Sequence, residues 1–219
     1  MTAAQHRAVV RRWQDRLVTR EKLLRDATSL TRPLRKRQVA KAKRVINRHK
    51  RGAIGAGRAE AIKWARAQLG TTENPPGSNR GGKITIWQKG LATWLVGQPW
   101  CGVFVGTSAK EAGVKGITSR VASVALIEAD SKAGKHGYSH AVPVSVDTIR
   151  PGDHVILFGP GVHVELVEKV HKRTRVIQTI GGNTSAGNAG SQSNGGGVFR
   201  RYRPIGDVYA AARPDYLSL

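Results

Sequence analysis

Apolar residues recur at helical spacing through roughly the first two thirds of this chain, and from Pro151 onward they fall at strand spacing. That order constrains the fold: helices first and strands second give an α+β domain rather than alternating βαβ units. Strands are predicted over 154–158, 162–170, 175–180 and 198–203. Tight turns such as Pro151-Gly152-Asp153 and Gly159-Pro160-Gly161 join them, so the sheet is antiparallel. Helices are predicted over 58–69, 84–95, 101–112 and 120–132, with Gly70, Gly113 and Gly134 as stop signals. A chain of 219 residues can bury one good core and a small appendage.

The appendage is at the N-terminal end. Residues 1–52 hold seventeen Lys and Arg against three Asp and Glu, fourteen of the net twenty-three positive charges. Val10, Trp13, Leu17 and Leu24 form one apolar stripe, with Leu23, Ala27 and Leu30 extending it, and Val39, Ala42 and Ile46 form another beyond a break at Thr31-Arg32-Pro33. Either a helical hairpin or one interrupted helix fits, and the stripes need a partner. Residues 53–57, in Gly52-Ala53-Ile54-Gly55-Ala56-Gly57, are expected to be a glycine-rich linker between the arm (1–52) and a domain over 58–219. Such a field of charge attracts anionic wall polymer, a membrane surface or nucleic acid. The arm is expected to target, dock or oligomerise, or else to pack its stripe on the rest of the chain.

Cys101 is the one cysteine, so no internal disulfide forms. It opens a predicted helix, where unpaired N–H groups and the helix dipole favour a thiolate. It is either a nucleophile or a small buried hydrophobe. His163 lies in Val162-His163-Val164-Glu165-Leu166, where alternation points His163 and Glu165 to one side and the apolar residues to the other. A histidine on a rigid strand suits a general base, although a solvated strand face would carry one equally well. Asn183 follows the next strand, where a hairpin partner could reach the imidazole; ordinary turns use asparagine too.

A helix, then Gly70-Thr71-Thr72-Glu73-Asn74-Pro75-Pro76-Gly77-Ser78-Asn79, Pro99-Trp100-Cys101-Gly102, Pro151-Gly152-Asp153, His163-Val164 and Gly182-Asn183-Thr184-Ser185 occur in order. Over about residues 58–205 this resembles the CHAP family, the cysteine, histidine-dependent amidohydrolases/peptidases that cut bacterial peptidoglycan. The resemblance implies a papain-like α+β fold, with N-terminal helices packed on an antiparallel sheet. It makes Cys101 the nucleophile, His163 the base and Asn183 the group that orients it. Many members place a glutamate two residues before that asparagine, where this chain has Gly181, so Cys-His-Asn is expected and Glu165 is a weaker substitute. Backbone N–H groups at the helix start are the natural oxyanion donors. Gln98 and Trp100 are candidate oxyanion or substrate contacts, and Trp87 and Trp94 either wall a groove or join the core. No cofactor is expected, and 95–108 lacks the acidic residues of the calcium loop found in some members.

The implied activity is that of an N-acetylmuramoyl-L-alanine amidase or a peptidoglycan endopeptidase, as in phage endolysins and virion-associated lysins. No secretory leader is recognisable, so synthesis in the cytoplasm is expected, with action on the wall after release or from a virion. Two other readings compete. His136 and His140 have the i, i+4 spacing of a metal pair, but Gly137 weakens the helix this needs and no Glu follows His136. A nucleic-acid-binding or structural virion protein with a catalytically silent CHAP-like fold would account for the arm, and binding to phosphates would weaken steeply with salt.

Overall fold

The computed structural model describes residues 1–187 and 190–218. Among them are five α-helices, three short 3-10 turns and one six-stranded antiparallel sheet, an α+β architecture. Two compact units are distinguished: Met1–Gly57 with the residues from Tyr216, and Arg58–Asp215.

In the first unit α1 (Ala3–Arg25) and the first part of α2 (Arg32–Arg66) form a hairpin. A capping box starts α1: Thr2 Oγ1 accepts from the Gln5 amide, and the Gln5 side chain accepts from the Thr2 amide. Pro33 sits in the first turn of α2, where its missing N–H costs nothing. Ala3 and Val10 of α1 and Val39, Ala42, Ile46 and Ala53 of α2 are buried, whereas Leu23 and Leu30, which extend the first stripe in sequence, are exposed. Polar contacts along the pair are Lys43 to Glu21 at 3.0 Å and His6 Nδ1 to His49 Nδ1 at 2.9 Å.

The stretch expected as a glycine-rich linker is helical: residues 53–57 lie inside α2. The physical reason is close packing. A β-carbon at Gly52 would fall 2.4 Å from the His6 ring, and one at Gly57 would fall 3.0 Å from Tyr216. These glycines provide room for neighbouring side chains within the helix.

In the second unit the helices α3 (Gly82–Leu91), α4 (Cys101–Glu111) and α5 (Val124–Ala133) precede the sheet. Ser123 caps α5 and Gly134 ends it in the left-handed conformation at φ 63°. The strands are β1 (Tyr138–Val142), β2 (His154–Leu157), β3 (His163–His171), β4 (Val176–Thr184), β5 (Gly197–Pro204) and β6 (Val208–Pro214), in the order β1-β6-β2-β3-β4-β5. Strands β2 to β5 match the predicted runs; β1 and β6 were not predicted. Helix α4 packs on β3 and β4, and α5 on β1 and β6. Trp64, Trp87, Trp100 and Phe104 form an aromatic cluster with centroids 5.4–6.0 Å apart. Val155, Leu157, Val167 and Ile177 anchor a second apolar cluster with Val142, Ile149, Val208 and Ala211. Both sides of β3 are therefore covered, and the alternative of a histidine on a solvated strand face falls away: Val164, Leu166, His163 and Glu165 are all fully buried.

Candidate active site

Cys101 is the first residue of α4, and Trp100 before it makes no side-chain cap bond. The first-turn N–H groups of such a helix have no intrahelical acceptor. Trp100 is fully buried and its indole Nε1 donates to Glu73 Oε1 at 2.9 Å. This bond pins the residue before the thiol to the Thr72-Glu73-Asn74 loop, whose Glu73 amide donates to the Gly196 carbonyl at 2.8 Å. Trp100 is thus an anchor in the core and not a surface for substrate. Trp87 is buried as well, whereas Trp94 is exposed. Gln98 is exposed, and its backbone carbonyl accepts from Gln88 Nε2 at 3.0 Å.

His163 opens β3, fully buried, with its Nε2 3.2 Å from Glu165 Oε1. Residues two apart on a strand share a side, which is why these two meet. Glu165 is held from two further strands. Arg203 on β5 donates through Nη2 to Oε1 at 2.5 Å and through Nε to Oε2 at 3.1 Å. Thr179 on β4 donates its hydroxyl to Oε2 at 2.5 Å. Every oxygen of the buried carboxylate is therefore paired, the condition under which a buried charge is tolerated.

Burial alone would lower the His163 pKa, but Cys101 and Glu165 together outweigh it and raise it to about 9. Burial would likewise raise Glu165, yet His163 and Arg203 draw it down to about 2. The arrangement favours an imidazolium between a thiol and a carboxylate. His163 Nδ1 is buried and has no hydrogen-bond partner among the described residues. With Nε2 committed to Glu165, Nδ1 is the nitrogen left to exchange a proton with the thiol.

Asn183 does not take the orienting position. Its Nδ2 donates to Asn194 Oδ1 at 3.3 Å, and its Oδ1 is buried and unpaired among the described residues. Asn183 also sits at φ 57°, in a register irregularity between Gly181 and Thr184 that turns it out of the regular strand pattern. The expected order of preference is therefore corrected: the polar neighbour of His163 is Glu165. Gly181 explains how. A β-carbon there would lie 2.7 Å from Glu165 Oε1, so the glycine in β4 makes room for a carboxylate from β3.

Three participants escaped the sequence reading. Arg203 and Thr179 act through strand pairing that one strand read alone does not reveal. The alternation of Arg201 and Arg203 with Arg200 and Tyr202 was the available signal of inward-facing charge. The third is Phe158, at φ 65° in the turn between β2 and β3, whose ring stacks on His163 at 6.5 Å and carries the Arg203 guanidinium at 5.3 Å. His136 lies in a turn at φ 51° and His140 in β1, so the helical pair that a metal reading needs does not form.

Searches against protein-family models, curated proteins and solved structures give no match for this chain.

Proposed function

We propose that the second unit is a cysteine-dependent hydrolase with a papain-like, CHAP-type fold, cutting an amide or peptide bond of bacterial peptidoglycan. The observation that carries the chemistry is the buried series Cys101, His163, Glu165, with the histidine raised to about 9 and its Nδ1 unpaired. A thiol, a base and a group that orients the base are what nucleophilic acyl transfer requires. The choice of substrate rests on the ordered motifs and their resemblance to the CHAP family.

In the reaction the proton of Cys101 resides on His163 Nδ1, and the sulfur attacks the carbonyl carbon. N–H groups at the start of α4 stabilise the oxyanion, a contribution of about 3–4 kcal/mol per donor in well-studied hydrolases. The C–N bond breaks as His163 protonates the leaving amine, leaving a thioester. Water then attacks the thioester and gives a proton to His163. The C–S bond breaks, the acid is released and the thiol is restored. Glu165 keeps the imidazole in the tautomer with hydrogen on Nε2 and stabilises its charged form.

The test is digestion of purified cell walls with mass spectrometry of the released fragments, which names the bond. Wild type is expected to release new amino and carboxyl termini, with iodoacetamide abolishing release and EDTA leaving it unchanged. A Cys101→Ala protein that releases the same fragments at the same rate would overturn the proposal.

A further inference from the structure

The turn end of the helical hairpin in the first unit combines two features that α-helical packing does not explain. Leu30, in the turn between α1 and α2, is 91% exposed; Leu34 is 57% and Leu23 40% exposed. Around them residues 22–37 carry six cations (Lys22, Arg25, Arg32, Arg35, Lys36 and Arg37) against one acid, Asp26. The turn is ordered. Thr28 Oγ1 and Thr31 Oγ1 are 3.1 Å apart, the Arg32 amide donates to the Thr28 carbonyl at 2.9 Å, and Arg32 Nη2 donates to the Ala27 carbonyl at 3.3 Å. Leu23 and Arg35, from the two helices, line one groove beside it.

We propose that this end of the hairpin docks on an anionic lipid bilayer, with Leu23, Leu30 and Leu34 entering the boundary between headgroups and acyl chains and the surrounding cations resting on lipid phosphates. Exposed leucines gain by leaving water, and a cluster of four to eight Lys and Arg on a helical segment is drawn to negatively charged lipid. Wall polyphosphates or a nucleic acid would satisfy the cations and leave the leucines in water. The Trp13 indole already carries the Arg16 and Arg20 guanidinium groups at 5.3 and 5.2 Å, so it is not presented for base stacking. A second copy of the same end would bring like charge against like charge. The inference is independent of the hydrolase reading, since none of these residues belongs to the candidate active site.

Flotation of the full chain with vesicles tests it. The protein is expected to float with phosphatidylcholine vesicles containing phosphatidylglycerol and to stay in solution with phosphatidylcholine alone. The triple variant Leu23→Ser, Leu30→Ser, Leu34→Ser keeps every charge and is expected to bind at least about tenfold more weakly. Leu30→Ser alone, at the most exposed of the three, decides the matter if the triple variant does not fold. An environment-sensitive fluorophore on Leu30→Cys in a Cys101→Ala chain is expected to brighten on anionic vesicles. Equal flotation of wild type and leucine variants overturns the proposal, because charge alone would then suffice. So does a fluorophore that stays in water. Duplex DNA that binds the hairpin and strips it from the vesicles overturns it in favour of a nucleic-acid surface.

Discussion

Gly181→Ala would place a β-carbon 2.7 Å from Glu165 Oε1 and 2.8 Å from Glu165 Cγ, against a carboxylate that Arg203, Thr179 and His163 hold in place. The carboxylate has nowhere to retreat, so this small change is expected to lower activity by disturbing the imidazole, with substrate binding little altered. A KM against kcat comparison reads the difference: kcat falls and KM holds. Cys101→Ala and His163→Ala are expected to remove activity on the order of 10⁶-fold, and Glu165→Gln on the order of 10⁴-fold, the scale seen when members of a catalytic unit are deleted. Asn183→Ala is expected to cost far less, since its amide bonds Asn194 and not His163. Loss on Asn183→Ala equal to that on Glu165→Gln, measured on the same walls, would return the orienting role to the asparagine. Cys101 and His163 were legible from local sequence because a helix start and a strand position are local properties. The choice between Asn183 and Glu165 as the third group was not. That Glu165 shares a side with His163 is local to β3, but that Asn183 is turned away depends on the register irregularity of β4 against β5, which no single segment encodes.

At the scale of elements, the glycines of α2 offer a graded test. A β-carbon at Gly55 meets nothing within 4 Å, whereas one at Gly52 would meet the His6 ring at 2.4 Å. Gly55→Ala is expected to stabilise the chain by about 0.5–1 kcal/mol, the helix preference of alanine over glycine. Gly52→Ala is expected to destabilise it by forcing His6 away from His49. Urea midpoints of the two variants moving in opposite directions would confirm a helix here, and two neutral variants would restore the linker. A Gly/Ala-rich run reads as a joint because glycine signals freedom in sequence. Ring packing at Gly52 and Gly57 explains why the helix continues through it. Strands β1 and β6 were missed for a related reason. Tyr138–Val142 has Ser and His at its centre, and Val208–Pro214 is rich in alanine; neither shows the β-branched alternation of β2 and β3. Their strand state comes from pairing with each other and of β6 with β2.

For the molecule as a whole, two buried histidines set opposing pH dependences. His154 is fully buried on β2 with Nδ1 3.0 Å from the Tyr138 hydroxyl, and burial lowers its pKa to about 3. The unfolded chain takes up that proton first, so stability is lost as pH falls from about 6.5 toward 3, at up to about 1.4 kcal/mol per pH unit. The raised pKa of His163 works the other way: its contribution is complete below about 6.5 and disappears as pH rises through about 9. Glu165 adds stability above about 4.5 that vanishes as pH falls through about 2. Maximum stability is expected near neutrality, with His154→Leu flattening the acid limb in thermal melts taken at several pH values. An unchanged acid limb would assign the dependence to other groups. The α+β order was legible from the change of period along the chain, while the burial of both faces of β3 and the partners that His163 and Glu165 find there were not. The strand order has one more consequence. The sheet is open at β1 and β5, and an open edge invites another chain to add a strand. Here Pro143 follows β1, β5 ends at Pro204, and the start of β5 is already bonded to the 70–73 segment through the Gly70, Glu73 and Val198 amides. What remains open is kept apart by the repulsion of a chain with net charge +23, and self-association should first appear where added salt shortens the reach of that charge to a few ångströms.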